Sequence, residues 1–465
     1  MFEPTVYIQR RRALVEALAA RGVGDGLVLF PGNRESPMNY ADNAYRFRQD
    51  SSFLYYFGLA EPDLAAALDP GSGKATLYAD ELSVDDLVWT GPRPTAAELA
   101  TACGADEVRP RADFGKAAAG AGAGALFMPP YRMDTALELA EALGMGPREV
   151  AGRASAALVA AVVAMREIKE GREVEDITRA VDVSIDMHRA VIAAARPGAT
   201  ERGLMAEAYR AALAGGGMPS FPPIATTRGA VLHNHAYDRT LEAGGLFLLD
   251  AGAETVRGYA GDLTSTFPIG RTYDGRQKTV YSIVLEAGKA AVRTIRPGVP
   301  YREAHFAAAR TIAAGLKDLG LMRGDMEAAV AAGAHALFFP HGIGHQMGLD
   351  VHDMESLGEV NVGYDGQPKS TLFGLKSLRM AKPVKPGMVL TVEPGVYFIP
   401  GLAAIWKAER RFNEFIDYDR VESWLDVGGF RNEENWLVTD DGARRLGKPF
   451  DKSIAAMEGY RAAGL

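Results

Sequence analysis

Near the N-terminus, apolar residues recur at helical spacing among charges. Val6, Leu14, Leu18 and Ala19 fall on one prospective inner face, which predicts an amphipathic helix. Short apolar runs bounded by turn residues follow. LVLF (27–30) precedes the turn signal PGN, and LAAALD (64–69) and ATLYAD (75–80) flank PGSGK, the pattern of a strand hairpin. The glycine-rich tract GAGAGALFMPP (120–130) precedes an apolar run, whereas a dinucleotide loop follows a strand and opens a helix; it reads as a turn into a strand. A helical region then begins near Ala151, breaks at Glu170-Gly171 and continues to about Ala195. This predicts a mixed α/β domain over residues 1–158 and a second domain over 159–465.

The second domain contains an internal echo. AVIAAARPGATERGLMAEAYRAAL begins at Ala190 and AVRTIRPGVPYREAHFAAARTI at Ala291; each reads as helix, Arg-Pro-Gly, helix. The first copy leads to AVLHNH (230–235) and the strand LFLLD. The second leads to FFPHGIGHQMGLDVHD (338–353) and the strand MVLTVE. Each strand ends in a carboxylate, Asp250 or Glu393, and each half adds another acid: Asp262 in GYAGDLTSTFP, a returning hairpin strand, and Glu433 or Glu434 in GGFRNEENW. Two related α/β halves bringing acids to a shared centre predict a pseudo-symmetric fold with a site between them.

Composition narrows the function. A formal charge of −8, without a basic block, argues against nucleic acid and against an anionic membrane surface. The one cysteine, Cys103, excludes internal disulfides and fits a reducing compartment. The N-terminal stretch lacks a signal-peptide core, and the most apolar helical run, ALVAAVVAM (157–165), is too short to span a bilayer. The expectation is a cytoplasmic protein.

An unpaired charge at the end of strands as apolar as LFLLD and MVLTVE is expensive. Clustered carboxylates also repel and raise one another's pKa, and cations are the natural compensation. Mostly oxygen donors with imidazole nearby favour a hard or borderline divalent metal: Mn²⁺ first, with Co²⁺, Fe²⁺ or Zn²⁺ as alternatives.

The segments LLDAGAETVRGYAGDLTSTFP, PHGIGHQMGLDVHD, LTVEPGVYF and GGFRNEE resemble, in order and spacing, the metal-binding segments of the proline-specific pita-bread metallopeptidases, the family of aminopeptidase P and prolidase. LRMAKPVKPGMVLTVEPG extends the likeness, and FRQDSSFLYYFG (47–58) resembles the aminopeptidase P N-terminal domain. The resemblance implies a smaller N-terminal α/β domain before a pseudo-symmetric pita-bread catalytic domain. It implies two divalent metal ions held by Asp250, Asp262, His345, Glu393 and Glu433, with Asp262 and Glu433 bridging. Asn432 stands where the family has an aliphatic residue, and Gly428-Gly429 and Arg431 anchor the register on Glu433 rather than Glu434. His233, His341 and His352 match histidines expected to face the substrate or shuttle a proton. Tyr397 and Arg431 match residues beside the metals. His235 carries no assignment, and His188, His305 and His335 lie outside the motifs, with surface or packing roles expected.

The implied reaction is hydrolysis of the Xaa-Pro bond at a peptide N-terminus, with a metal-activated hydroxide as nucleophile and Glu393 relaying its proton. Prolidase activity, confined to Xaa-Pro dipeptides, is the alternative. A non-catalytic peptide-binding pita-bread module is the remoter one, disfavoured because all five ligand positions carry competent residues. The family further implies peptide substrates with proline second and a homodimer or homotetramer.

Overall fold

The computed structural model describes residues 1–464. The chain forms two compact units: Met1–Arg166 with the short segment Met354–Asn361, and the remainder from Glu167. The sequence boundary at 158/159 falls inside a helix, Ala156–Arg166, that closes the first unit.

The first unit opens with the helix Pro4–Ala19, which buries Val6, Leu14 and Leu18. Ala19 is exposed, contrary to the periodicity, and Tyr7, Arg10 and Arg11 are buried instead. The arginines owe their burial to helix ends elsewhere in the unit. Arg10 donates to the Tyr55 carbonyl, and Arg11 to those of Tyr56 and Cys103, among the last carbonyls of the helices Ser51–Phe57 and Ala96–Cys103. Five strands, β1 (Leu27–Pro31), β2 (Ala65–Leu68), β3 (Ala75–Tyr78), β4 (Glu107–Arg109) and β5 (Ala125–Leu126), form one sheet in the order β4-β3-β2-β1-β5. The predicted hairpin is β2–β3, antiparallel with Ala65 opposite Tyr78. GAGAGALF does turn into a strand, but β5 is only two residues long and pairs parallel to β1. Leu29, Ala67, Phe114, Phe127 and Leu139 centre the core between this sheet and its helices.

In the second unit the helix Gly171–Ala194 starts at Glu170, whose carboxylate and that of Glu173 form a reciprocal capping box. Helix Gly171–Ala194 is followed by Glu201–Ala214, and Gly275–Thr294 by Arg302–Asp318, as the echo predicts. Gly198 and Gly298 have φ of 87° and 81°, the left-handed conformation that ends each first helix at Arg-Pro-Gly. After β6 (Met218–Pro219), β7 (Ile224–Thr226), β8 (Leu246–Asp250), β9 (Ala253–Glu254) and β10 (Thr264–Pro268), the sheet of the first half runs β10-β8-β7. The second half gives β11 (Val389–Val392), β12 (Gly395–Tyr397), β13 (Gly429–Arg431), β14 (Glu434–Val438) and β15 (Ala443–Arg445), with a β11-β14-β15 sheet and a β12–β13 pair. A β-bridge between Thr264 and Glu433 joins the halves.

Candidate active site

The two halves meet at one cavity of about 580 Å³, lined by His233, His235, Asp250, Asp262, His341, His345, His352, Glu393, Arg431 and Glu433. Every residue singled out from the sequence is here except Tyr397, which is fully buried behind it. Asp250 is the last residue of β8, and Glu393 follows β11 directly, so both are delivered by strand ends. Asp262 precedes β10 rather than lying on it. Asn435 bonds its backbone on both sides, the Asp262 N–H donating to Asn435 Oδ1 at 3.1 Å and Asn435 Nδ2 donating to the Asp262 carbonyl. This cross-half contact lies beyond any local periodicity.

The segment 341–346 runs beside β11. The His345 N–H donates to Thr391 Oγ1 (3.1 Å), the Thr391 N–H to the His345 carbonyl (3.0 Å) and the Glu393 N–H to the Ile343 carbonyl (2.8 Å). A Cβ on Gly344 would collide with the Thr391 carbonyl, which is why HGIGH needs its second glycine. His345 directs Nδ1 to the Gln346 carbonyl at 3.0 Å, which requires a proton on Nδ1. Its Nε2 lone pair then faces Asp262 Oδ2 at 3.4 Å and Glu393 Oε1 at 3.9 Å. Fixing one ring nitrogen on a carbonyl to present the other is the usual preparation of a ligating imidazole.

Donor atoms of Asp262, His345 and Glu433 lie within 4.8 Å of one another, and all three residues are buried. The Asp262 Oδ1 atom is buried without a hydrogen-bond partner. A fully desolvated, unbonded carboxylate oxygen beside two further acids is the environment a divalent cation relieves, so the donor set fits the metals expected. Without a cation the acids are pushed towards protonation. Burial, then Asp250 and Glu393, raise Asp262 well above the usual carboxylate range. Burial, then Asp262, raises Glu433 likewise. Burial pushes Glu393 up to about 8, Arg431 opposing and Asp250 adding to the rise.

Glu433 and Glu434 separate cleanly. Glu433 faces the cavity and accepts from Thr264 Oγ1 at 2.7 Å, whereas Glu434 pairs with Lys452 at 3.1 Å and Arg445 at 3.5 Å. Arg431 spans both halves, its guanidinium donating to Asp250 Oδ2 (2.6 Å), Tyr397 Oη (2.7 Å) and Thr264 Oγ1 (3.2 Å). Tyr397 in turn donates to His341 Nε2 (2.9 Å), whose Nδ1–H reaches the Gly342 carbonyl (2.8 Å). Both His341 nitrogens are therefore engaged, and burial, then Arg431, lowers its pKa to about 3. The His352 ring lies 4.1 Å from that of His345, centroid to centroid, tilted by 54°, and His233 and His235 are exposed at the cavity wall. His188, His305 and His335 are fully buried, which fits a packing role and not a surface one.

Sequence reasoning missed Ser377 and Arg379, which also line the cavity, and the apolar wall of Phe221, Pro222, Ile224, Leu232 and Val351. Arg379 lies inside LRMAKPVKPG, so the motif was visible though its arginine was not singled out.

A duplicated α/β scaffold that gathers buried carboxylates and an oriented imidazole builds a site suited to divalent cations. The sequence matches "Metallopeptidase family M24" over residues 175–440 and "Aminopeptidase P, N-terminal domain" over 7–125. Human Xaa-Pro dipeptidase is 31% identical, over 90% of this chain and 85% of its own. A probable Xaa-Pro aminopeptidase of Metarhizium acridum is 30% identical over 91% and 88%. Among solved structures, Pseudomonas aeruginosa aminopeptidase PepP aligns with a TM-score of 0.82 at 29% identity, covering 100% of this chain and 99% of that one. A zinc-substituted Escherichia coli aminopeptidase P in complex with product aligns at 0.81 and 26%, with the same coverage. The chain belongs to metallopeptidase family M24.

Proposed function

We propose that this enzyme removes the N-terminal residue from peptides with proline in second position, using two divalent metal ions, preferentially Mn²⁺, held by Asp250, Asp262, His345, Glu393 and Glu433. The observation that carries the reading is the convergence of these five donors on one cavity, with an orphaned Asp262 oxygen at its centre. When bound, such ions polarise the scissile carbonyl and lower the pKa of water towards neutrality. Glu393, the most exposed of the acids that are pushed towards protonation, accepts the proton of the attacking water. His352 and His233 face the peptide and support the carbonyl and the departing proline nitrogen. His341 holds Tyr397 and Arg431 in place; contact between its ring nitrogens and substrate requires one of its two hydrogen bonds to open. Proline has no N–H and a fixed φ, so its recognition falls to shape. The wall formed by Phe221, Pro222, Ile224 and Val351 is apolar enough to supply it.

A second reading, prolidase, is favoured by Arg379. A guanidinium on the wall of the same cavity matches the free carboxylate of an Xaa-Pro dipeptide. Incubation with Mn²⁺ and a series from Xaa-Pro to Xaa-Pro-Yaa-Zaa separates the two. Cleavage of the longer peptides is expected; cleavage confined to dipeptides overturns the aminopeptidase assignment.

The single, buried Cys103 supports a reducing, cytoplasmic setting. Self-association of the chain is supported by the helix Val84–Thr90, which buries none of its residues and leaves Trp89 85% exposed.

A further inference from the structure

The cavity has a back as well as a front. Behind Glu433 lies Lys452, 5% exposed, in a C-terminal segment outside the stretch that matches the metallopeptidase family. An ammonium carries three donors. Lys452 commits them to the carbonyls of Thr264 (3.0 Å) and Glu433 (2.6 Å) and to the Glu434 carboxylate (3.1 Å). Thr264 and Glu433 are the residues whose bridge joins the two halves, the Glu433 N–H donating to the Thr264 carbonyl at 3.1 Å. In front, the Thr264 hydroxyl donates to Glu433 Oε2. The backbone of Lys452 is itself held, its carbonyl accepting from Tyr281 Oη at 2.8 Å. The side chain that faces the metals is thus gripped from two directions.

We propose that Lys452 is a positioning residue for the metal centre, clamping the Thr264–Glu433 junction from behind so that the Glu433 carboxylate stays aimed into the cavity. The inference rests on the assignment of Glu433 as a metal ligand. A second buried cation of the same segment supplies an internal contrast. Arg461 donates to the carbonyls of Pro268 and Ile269, at the far end of β10 from Thr264, and to that of Ile192 in the helix Gly171–Ala194. Both cations stabilise the strand, but only Lys452 touches the residue that carries a donor.

The test is calorimetric titration of metal-stripped protein with Mn²⁺, well below each variant's unfolding temperature. Lys452→Met is expected to weaken uptake of at least one ion by about 10–100-fold, the range for loss of a group that orients a ligand. Lys452→Arg, which keeps the charge, is expected to recover part of that loss and covers the case in which the methionine variant fails to fold. Arg461→Lys lowers the unfolding temperature and leaves affinity within about twofold, as expected of a site remote from the ligands. Wild-type affinity in both Lys452 variants overturns the proposal, as does an equal loss in Arg461→Lys, which makes the effect one of general stability. A wild-type protein that takes up no Mn²⁺ while Lys452→Met remains folded sinks the ligand assignment itself, and the parallel wild-type titration tells the two failures apart.

Discussion

The two halves of the catalytic unit share a plan and differ in how they treat the acid at the end of the strand. In the first half, Asp250 closes β8 and meets the Arg431 guanidinium at 2.6 Å, an ion pair nearly sealed from water. In the second half Glu393 follows β11 and has imidazoles within ion-pair distance, His341 at 3.8 Å and His345 at 3.9 Å, with the charges of Arg431 and Arg379 acting from further off. One carboxylate is tied to a guanidinium, and the other has its pKa moved to about 8, chiefly by burial. A repeated scaffold brings the acids together, and their unequal pairing fits the proton-accepting role proposed for Glu393 alone.

The sharpest way to break the comparison is to remove the residues where the halves meet. Asp262→Ala and Glu433→Ala are expected to cut kcat/KM to below about a thousandth, the scale of losing a preorganised electrostatic element. Circular dichroism should show that each variant remains folded. Full activity in either variant ends the two-metal reading. Arg431→Met tests the ion pair of the first half. It leaves Asp250 without its cation and is expected to cost about 3–5 kcal/mol in denaturant unfolding. The double variant Arg431→Met/Asp250→Asn should regain part of that loss, and no recovery would mean the arginine acts mainly through Tyr397 and Thr264.

The adjustable side has a pH signature. In metal-stripped protein the folded-state pKa of Glu393, Asp262 and Glu433 lies above the unfolded values, so their protonated forms favour the fold. For Glu393 that contribution is complete below about pH 4 and is lost as pH rises towards 8, and Asp262 and Glu433 act in the same direction. Tm of the stripped protein should therefore fall across this window, whereas saturating Mn²⁺, which binds the ionised acids, should flatten or reverse the slope. A stripped protein whose Tm climbs from pH 5 to 8 contradicts the burial of these groups. The smallest effect is expected from Tyr397→Phe, which removes the hydroxyl between His341 and Arg431. A fall in kcat of about tenfold with unchanged metal content fits an orienting role, and loss of a metal ion does not.

Much of this was legible in the sequence, for physical reasons. Helix stops at Arg-Pro-Gly are local chemistry, and each reappears with its glycine at positive φ. An acid ending a wholly apolar strand is a conflict visible without coordinates, and Asp250 and Glu393 both reach the cavity. The β2–β3 hairpin followed from its turn residues. What stayed hidden are long charged side chains that solve problems far away in sequence. Arg10 and Arg11 looked like the solvent face of an amphipathic helix, yet they are buried on carbonyls at the ends of other helices. Nothing in local spacing marks Lys452 and Arg461, whose roles lie in the distant carbonyls they satisfy. Asp262 looked like part of a returning hairpin strand because its segment is rich in Gly, Thr and aromatics; its placement depends on Asn435, far away along the chain. Hydrophobic spacing reports which face is inward, not which cation will be drawn in to meet an unpaired carbonyl.

Lys452 also orders events in time. Asp250, Asp262 and His345 leave the ribosome well before the residue that secures Glu433. At about 5–20 residues per second, roughly 10–40 s separate the synthesis of Asp250 from that of Lys452. As that interval runs, the nascent chain gathers the remaining proposed metal donors without the clamp. The residue that aims one proposed donor is therefore made after all five of them.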